Sequence, residues 1–229
     1  MTADFYLRKG WKRLCLLLAS CLLVFSCMVY AVRLLSLESV YLGKNFYFLV
    51  RQTEHVQAGA YDVRLDGGAG YLLEHNGEKY VVFAVYLREE DGMSVQTGLA
   101  KQGEETRLLQ ATAERLYFKR NKDKKNASLY VGALRVLDGF IQVLSEEIAR
   151  LDNGATQQSV KRILETLARQ MEYEKKGHEE RYPAYANLCK SAQETLTASI
   201  CDTVYTNDLR YTLCELAVGY LDLAKEFAL

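Results

Sequence analysis

Hydrophobic and polar positions along this chain follow three successive regimes. From Leu14 to Val32 the run LCLLLASCLLVFSCMVYAV carries no charge. At roughly 19 residues it just crosses a hydrocarbon core of about 30 Å as a helix, the one form that satisfies its own backbone in lipid. From about Lys44 the pattern turns to short apolar stretches of period two, broken by Gly and Asn. From Leu129 to the end apolar residues recur every three or four positions. These regimes predict a transmembrane helix over 14–35, a mixed α/β segment over 44–118 and a helical domain over 129–229.

In the middle regime, Phe46-Tyr47-Phe48-Leu49-Val50 is aromatic and β-branched and reads as a strand. Thr53 to Leu65, with Val56, Ala60, Val63 and Leu65, reads as a short helix that Thr53 could cap and that Gly67-Gly68 stops. Gly70 to Glu74 is the next strand. Asn76-Gly77 then marks a hairpin, because both residues tolerate the positive φ of a type I′ turn. Lys79 to Leu87 is apolar on both sides and reads as a central strand. Arg88 to Gln102 reads as a second helix ended by Gly103, and Thr106 to Phe118 as a last strand. The order is βαββαβ, a split βαβ pattern with both helices on one face of an antiparallel sheet, so the fold class is α+β.

Residues 119–128 form a basic linker, Lys119-Arg120-Asn121-Lys122-Asp123-Lys124-Lys125 and beyond, read as a solvated hinge or a contact with anionic wall polymer or lipid headgroups. Beyond it lie four apolar stripes. The first is Leu134, Leu137, Ile141, Leu144, Ile148 and Leu151, ended at Asn153-Gly154. The second is Val160, Ile163, Leu164, Leu167 and Met171. Pro183 starts the third, Leu188, Ala192, Leu196 and Ile200, and Thr206-Asn207-Asp208 caps the fourth, Leu209, Leu213, Leu216, Tyr220 and Leu223. Four such helices with short connections predict an antiparallel bundle.

Arg8, Lys9, Lys12 and Arg13 precede the apolar run, and only Arg33 follows closely. By the positive-inside rule residues 1–13 are cytoplasmic and everything after Leu35 is exported, a single-pass topology in the cytoplasmic membrane. A cleaved signal peptide is a rival reading, but the run is longer than one needs and lacks a clear A-x-A site. Leu18-Ala19-Ser20-Cys21 looks like a lipobox, yet the chain after Cys21 stays apolar to Val32. A lipid anchor would make that half redundant.

Composition narrows the function. Lys+Arg 29 against Asp+Glu 29 leaves a formal net charge of zero, which argues against a nucleic-acid partner. Cys15, Cys21 and Cys27 lie in the membrane run, and Cys189, Cys201 and Cys214 in the helical region. No C-x-x-C pair supports a metal or thioredoxin-like site, so the cysteines read as small apolar residues of helix faces. His55, His75 and His178 belong to no H-E-x-x-H or H-x-E pattern, and no G-x-S-x-G elbow or phosphate loop occurs. The pairs Glu89-Glu90, Glu104-Glu105 and Glu146-Glu147 read as solvated faces. No catalytic constellation, metal site or cofactor is expected.

The βαββαβ unit resembles the SPOR (sporulation-related) domain of bacterial cell-envelope proteins, over about a third of the chain. The resemblance rests on the strand Phe46 to Val50, on the hairpin leading into Tyr80-Val81-Val82-Phe83-Ala84-Val85-Tyr86, on the helix Glu89 to Leu99 and on a single anchor before the domain. It implies binding of peptidoglycan glycan strands in division or sporulation. Where the family often carries Gln followed by Gly, this chain has Leu49 with Arg51 and Phe83 with Val85. Strand alternation groups Tyr47, Leu49, Arg51, Val81, Phe83 and Val85 on one sheet face, expected away from the two helices and available to stack on sugars. The alternative is a structural subunit that holds another membrane or envelope protein through that face and the helical domain.

Overall fold

The computed structural model describes residues 37–40, 43–53, 55–113, 116–119, 124–201 and 203–228. The expected N-terminus 1–13 and anchor 14–35 lie outside them. The elements are β1 (Leu37–Val40), β2 (Asn45–Gln52), α1 (Val56–Leu65), β3 (Tyr71–His75), β4 (Glu78–Tyr86), α2 (Glu89–Lys101), β5 (Arg107–Thr112), β6 (Leu116–Lys119), α3 (Lys124–Asp152), α4 (Gln157–His178), α5 (Pro183–Ser199) and α6 (Thr206–Ala228). The chain divides into two compact units, residues 1–40 with 117–127, and residues 41–116 with 128–229. The strands read as a separate domain and the helices expected beside it therefore share one unit.

The α+β class of the second unit follows from a four-stranded antiparallel sheet in the order β3-β4-β2-β5, with β2 and β4 central. Asn76 and Gly77 take φ of 53° and 80°, the tight turn that joins β3 to β4. Gly67 and Gly103 follow α1 and α2 with φ of 83° and 88°, so both helices end where the glycines fall. Glu89, Glu90 and Asp91 occupy the first turn of α2, where carboxylates favour the helix dipole.

Register decides what each side chain meets. Leu49 pairs with Ala84 but Val50 pairs with Val82, so Phe83 is an extra residue, a β-bulge in β4. The bulge resets the alternation. Leu49, Val81 and Phe83 pack with Val63 of α1, and Tyr86, Leu99 and Leu108 close around them. Val85 pairs with Phe48 instead and lies on the other side. At Gly92 an added Cβ would sit 2.7 Å from Leu108, so α2 rests closely on β5.

The second side carries Phe46, Phe48, Val50, Val82 and Val85, all buried. It is covered by α6, which packs against β4 and β3. Phe46 meets the edge of Tyr220 with ring centroids 5.6 Å apart, and Tyr71 meets Tyr211 at 5.2 Å. Burying each such side chain is worth about 1.5–3 kcal/mol.

Several expectations change. The six-residue face was assigned away from the helices, whereas its Leu49, Val81 and Phe83 lie beneath α1 and α2. Alternation shows which residues share a face, but a strand apolar on both sides does not show which face the helices take. The last strand, expected over 106–118, is two strands. β5 joins the main sheet, and β6 pairs with β1 in a separate two-stranded sheet. β1 falls between the expected anchor and the mixed α/β segment. The expected basic linker is helical from Lys124, and residues 120–123 lie outside the described residues.

In the helical part α4 packs on α5 and α5 on α6. The predicted stripes are buried along most of their length, with Ile163 turned outward at 37% exposure. An added Cβ at Gly219 would come within 2.4 Å of Leu188, which fixes a close approach of α5 and α6.

Candidate functional site

The sequence-predicted face does not form an open surface. Leu49 and Val81 are fully buried, and Phe83 and Val85 are 6% and 3% exposed. Tyr47 and Arg51 are half-buried. Of the six, Leu49, Phe83 and Val85 line a smaller recess with residues of α2, α3 and α6, and Arg51 borders a larger one.

That recess is a groove of about 1390 Å³ where β2 leaves the sheet and β4 and β5 enter it. Arg51, Lys79 and Arg107 bring positive charge to it, and Glu78, Glu104 and Glu105 negative charge. Gln52, Gln96, Thr97 and Thr106 supply amides and hydroxyls. Arg51 donates to Glu104 and lies over the Phe83 ring, 5.2 Å from its centroid, so its position is set from two directions. Gln96 Nε2 donates to the Thr106 carbonyl at 2.9 Å, tying α2 to the start of β5. The Thr106 hydroxyl oxygen is buried with no hydrogen-bond partner. Tyr80 donates to Glu78, and that bond holds the phenol above its usual pKa.

A second polar cluster joins the α+β layer to the helices. Arg210 of α6 donates to the Gly67 carbonyl and, at 2.7 Å, to Asp152 of α3. Arg64 at the end of α1 pairs with Asp208 and lies 5.8 Å over the Tyr211 ring. Asn207 Nδ2 donates to the Arg64 carbonyl at 3.3 Å. Lys44 pairs with Asp138 of α3, and burial still pulls its ammonium down to about 8.

The third cluster lies between α4 and α5. Tyr185 donates to Glu174 Oε2 at 2.9 Å and stacks on Tyr182 at 5.7 Å. His178 Nδ1 lies 3.0 Å from the Glu174 carbonyl oxygen, and its ring meets Tyr185 edge-on. Burial pushes the Tyr185 phenol far up and the Cys189 thiol to about 12, so neither ionises near neutral pH. This arrangement ties helices together and activates no nucleophile. Cys201 is exposed, and its thiol donates to the Thr197 carbonyl at 3.2 Å. Among the described residues no group of three or more His, Cys, Asp and Glu side chains could hold a metal ion.

Two of the acidic pairs read as solvated faces have one member each that is not. Glu104 holds Arg51, and Glu147 is 4% exposed and accepts both of its bonds from Arg150 at 2.8 Å. The groove itself escaped the sequence because its residues come from three separate stretches of chain, 51–56, 78–79 and 96–107. The one local signal was the density of Arg, Lys, Glu and Gln at strand starts. No family model, no curated protein and no solved structure matches the chain.

Proposed function

We propose that the chain is a single-pass envelope protein, held by the 14–35 segment with its bulk outside the cytoplasm, and that it works without catalysis as a scaffold for another membrane or envelope protein. The observation that carries this reading is the closure of both sheet faces by the chain's own helices. Four of the six residues that the SPOR resemblance assigned to glycan, Leu49, Val81, Phe83 and Val85, have almost no surface to offer a sugar ring. The accessible polar feature is the groove around Arg51. Its three cations and three carboxylates balance, which suits a polypeptide segment of mixed charge better than an anionic polymer.

The test uses the full-length chain in detergent with denuded peptidoglycan. The scaffold reading expects no sedimentation above background. A photo-crosslinking residue in place of Lys79 should give one discrete protein adduct in cells, lost on Arg107→Glu. Sedimentation with glycan that Arg51→Ala abolishes would return the function to wall binding.

A further inference from the structure

The two sides of α3 are unlike. Leu134, Leu137, Ile141, Leu144 and Ile148 are buried. The opposite side repeats every seven residues, with Gly132, Gly139 and Glu146 alternating with Arg135, Gln142 and Ala149, all exposed or half-exposed. Half-buried Val136 and Val143 flank this side. Beside it Val136, Phe140 and Tyr173 of α4 line a groove of about 550 Å³, with Tyr173 76% exposed.

Three observations set this side apart from an ordinary solvated helix face. Residues 128–152 are long and apolar enough to cross a membrane, yet only 33% of the most apolar stretch is buried in the chain. A Cβ built on Gly132 or Gly139 meets nothing within 4 Å, so no internal packing calls for glycine, although each mid-helix glycine weakens a helix about fivefold against alanine. Arg135 and Glu146 are exposed, and neither has an ion-pair partner among the described residues. They stand about three turns apart, at equal distances along the helix from the midpoint of Gly139 and Gln142.

We infer that this side of α3 is the contact surface for a second copy of the chain, with the two α3 helices antiparallel about a two-fold axis beside Gly139 and Gln142. That symmetry sets Arg135 of each copy against the partner's Glu146, so the surface is complementary to itself in charge. It also sets Gly132 against the partner's Ala149, and the small residues let the backbones approach to the short end of helix-packing distances. Tyr173 and Val136 then form the apolar margin of the contact. The inference goes beyond the scaffold reading and does not depend on it.

The test is the association state of the detergent-solubilised full-length chain, followed by sedimentation velocity over a range of concentrations. Wild type should dimerise. Arg135→Glu or Glu146→Arg alone should raise Kd about tenfold or more, because each places like charges together twice. The double reversal, Arg135→Glu with Glu146→Arg, should return Kd to within about threefold of wild type. Gly139→Leu fills open space in the single chain, so it should keep or raise Tm while abolishing the dimer. A chain monomeric throughout, or a dimer indifferent to all these changes, would overturn the inference. So would a monomer in which Gly139→Leu alters only association with lipid vesicles, since α3 would then face the bilayer.

Discussion

One face of the four-stranded sheet is closed by α1 and α2, which connect the strands themselves. The other is closed by α6, the last helix of the chain, where Tyr220 meets Phe46 and Tyr211 meets Tyr71. Both faces carry buried apolar residues, and adjacent residues of β4 serve one each: Val81 lies under α1, and Val82 pairs with Val50 on the α6 side. The difference is one of sequence distance. The first closure comes from short connections, the second only after the chain has built three other helices. A sheet open on its second face would be a binding surface, and here that face is core. Contacts this distant cost more loop entropy before they form.

The largest expected effect tests the two faces side by side. Val81→Asp and Val82→Asp each bury an unpaired carboxylate and should each cost several kcal/mol, read from the denaturation midpoint. A mild effect from Val82→Asp alone would mean that the α6 side is open to water.

Truncating the aromatic contact comes next. Tyr220→Ala should cost about 3 kcal/mol, and a double-mutant cycle with Phe46→Ala should show coupling of about 0.5–1.5 kcal/mol. Additive single effects would place Tyr220 away from the sheet.

Alkaline pH should weaken the fold. Burial holds the Cys189 thiol at about 12 against 9.0 unfolded, and the phenols of Tyr71, Tyr86 and Tyr220 at about 12 against 10.0. Cys214, Tyr182 and Tyr185 shift in the same direction. Between those values the native state keeps protons that the unfolded state has lost, so stability present below pH 9 is lost as pH rises. Lys44 acts oppositely, its ammonium lowered to about 8 from 10.5, but it is one group against seven. The denaturation midpoint should fall from about pH 9 and more steeply past pH 10. A midpoint flat to pH 11 would contradict the burial of these groups.

The smallest effect concerns the polar ties. Arg210→Ala removes bonds to Gly67 and Asp152 and should cost about 1–2 kcal/mol, while Arg64→Ala, more exposed, should cost less than about 1 kcal/mol. The reverse ranking would show that Asp208, and not the Gly67 carbonyl, anchors α6 to the sheet.

The sequence carried the elements well and their partners poorly. The Asn76-Gly77 turn, the stops at Gly67, Gly103 and Gly154 and the four helical stripes were legible because each rests on local backbone or periodicity rules. The side of the sheet was not, because β4 is apolar on both faces and the bulge at Phe83 leaves no mark in the residue pattern. The β1–β6 pairing was hidden for a similar reason, since its two strands are four residues each and lie far apart in the chain. The groove around Arg51 depends wholly on tertiary placement.

Thiol labelling tests the central claim, closure of both faces by the chain itself, most directly. In a Cys201→Ser background, Val81→Cys, Val82→Cys and Thr112→Cys, the last at an exposed position of β5, would each be treated with a maleimide under native conditions. Closure of both faces predicts rapid labelling at 112, with 81 and 82 both protected until the chain is unfolded. Rapid labelling at 82 with protection at 81 would leave the second face open and contradict the account.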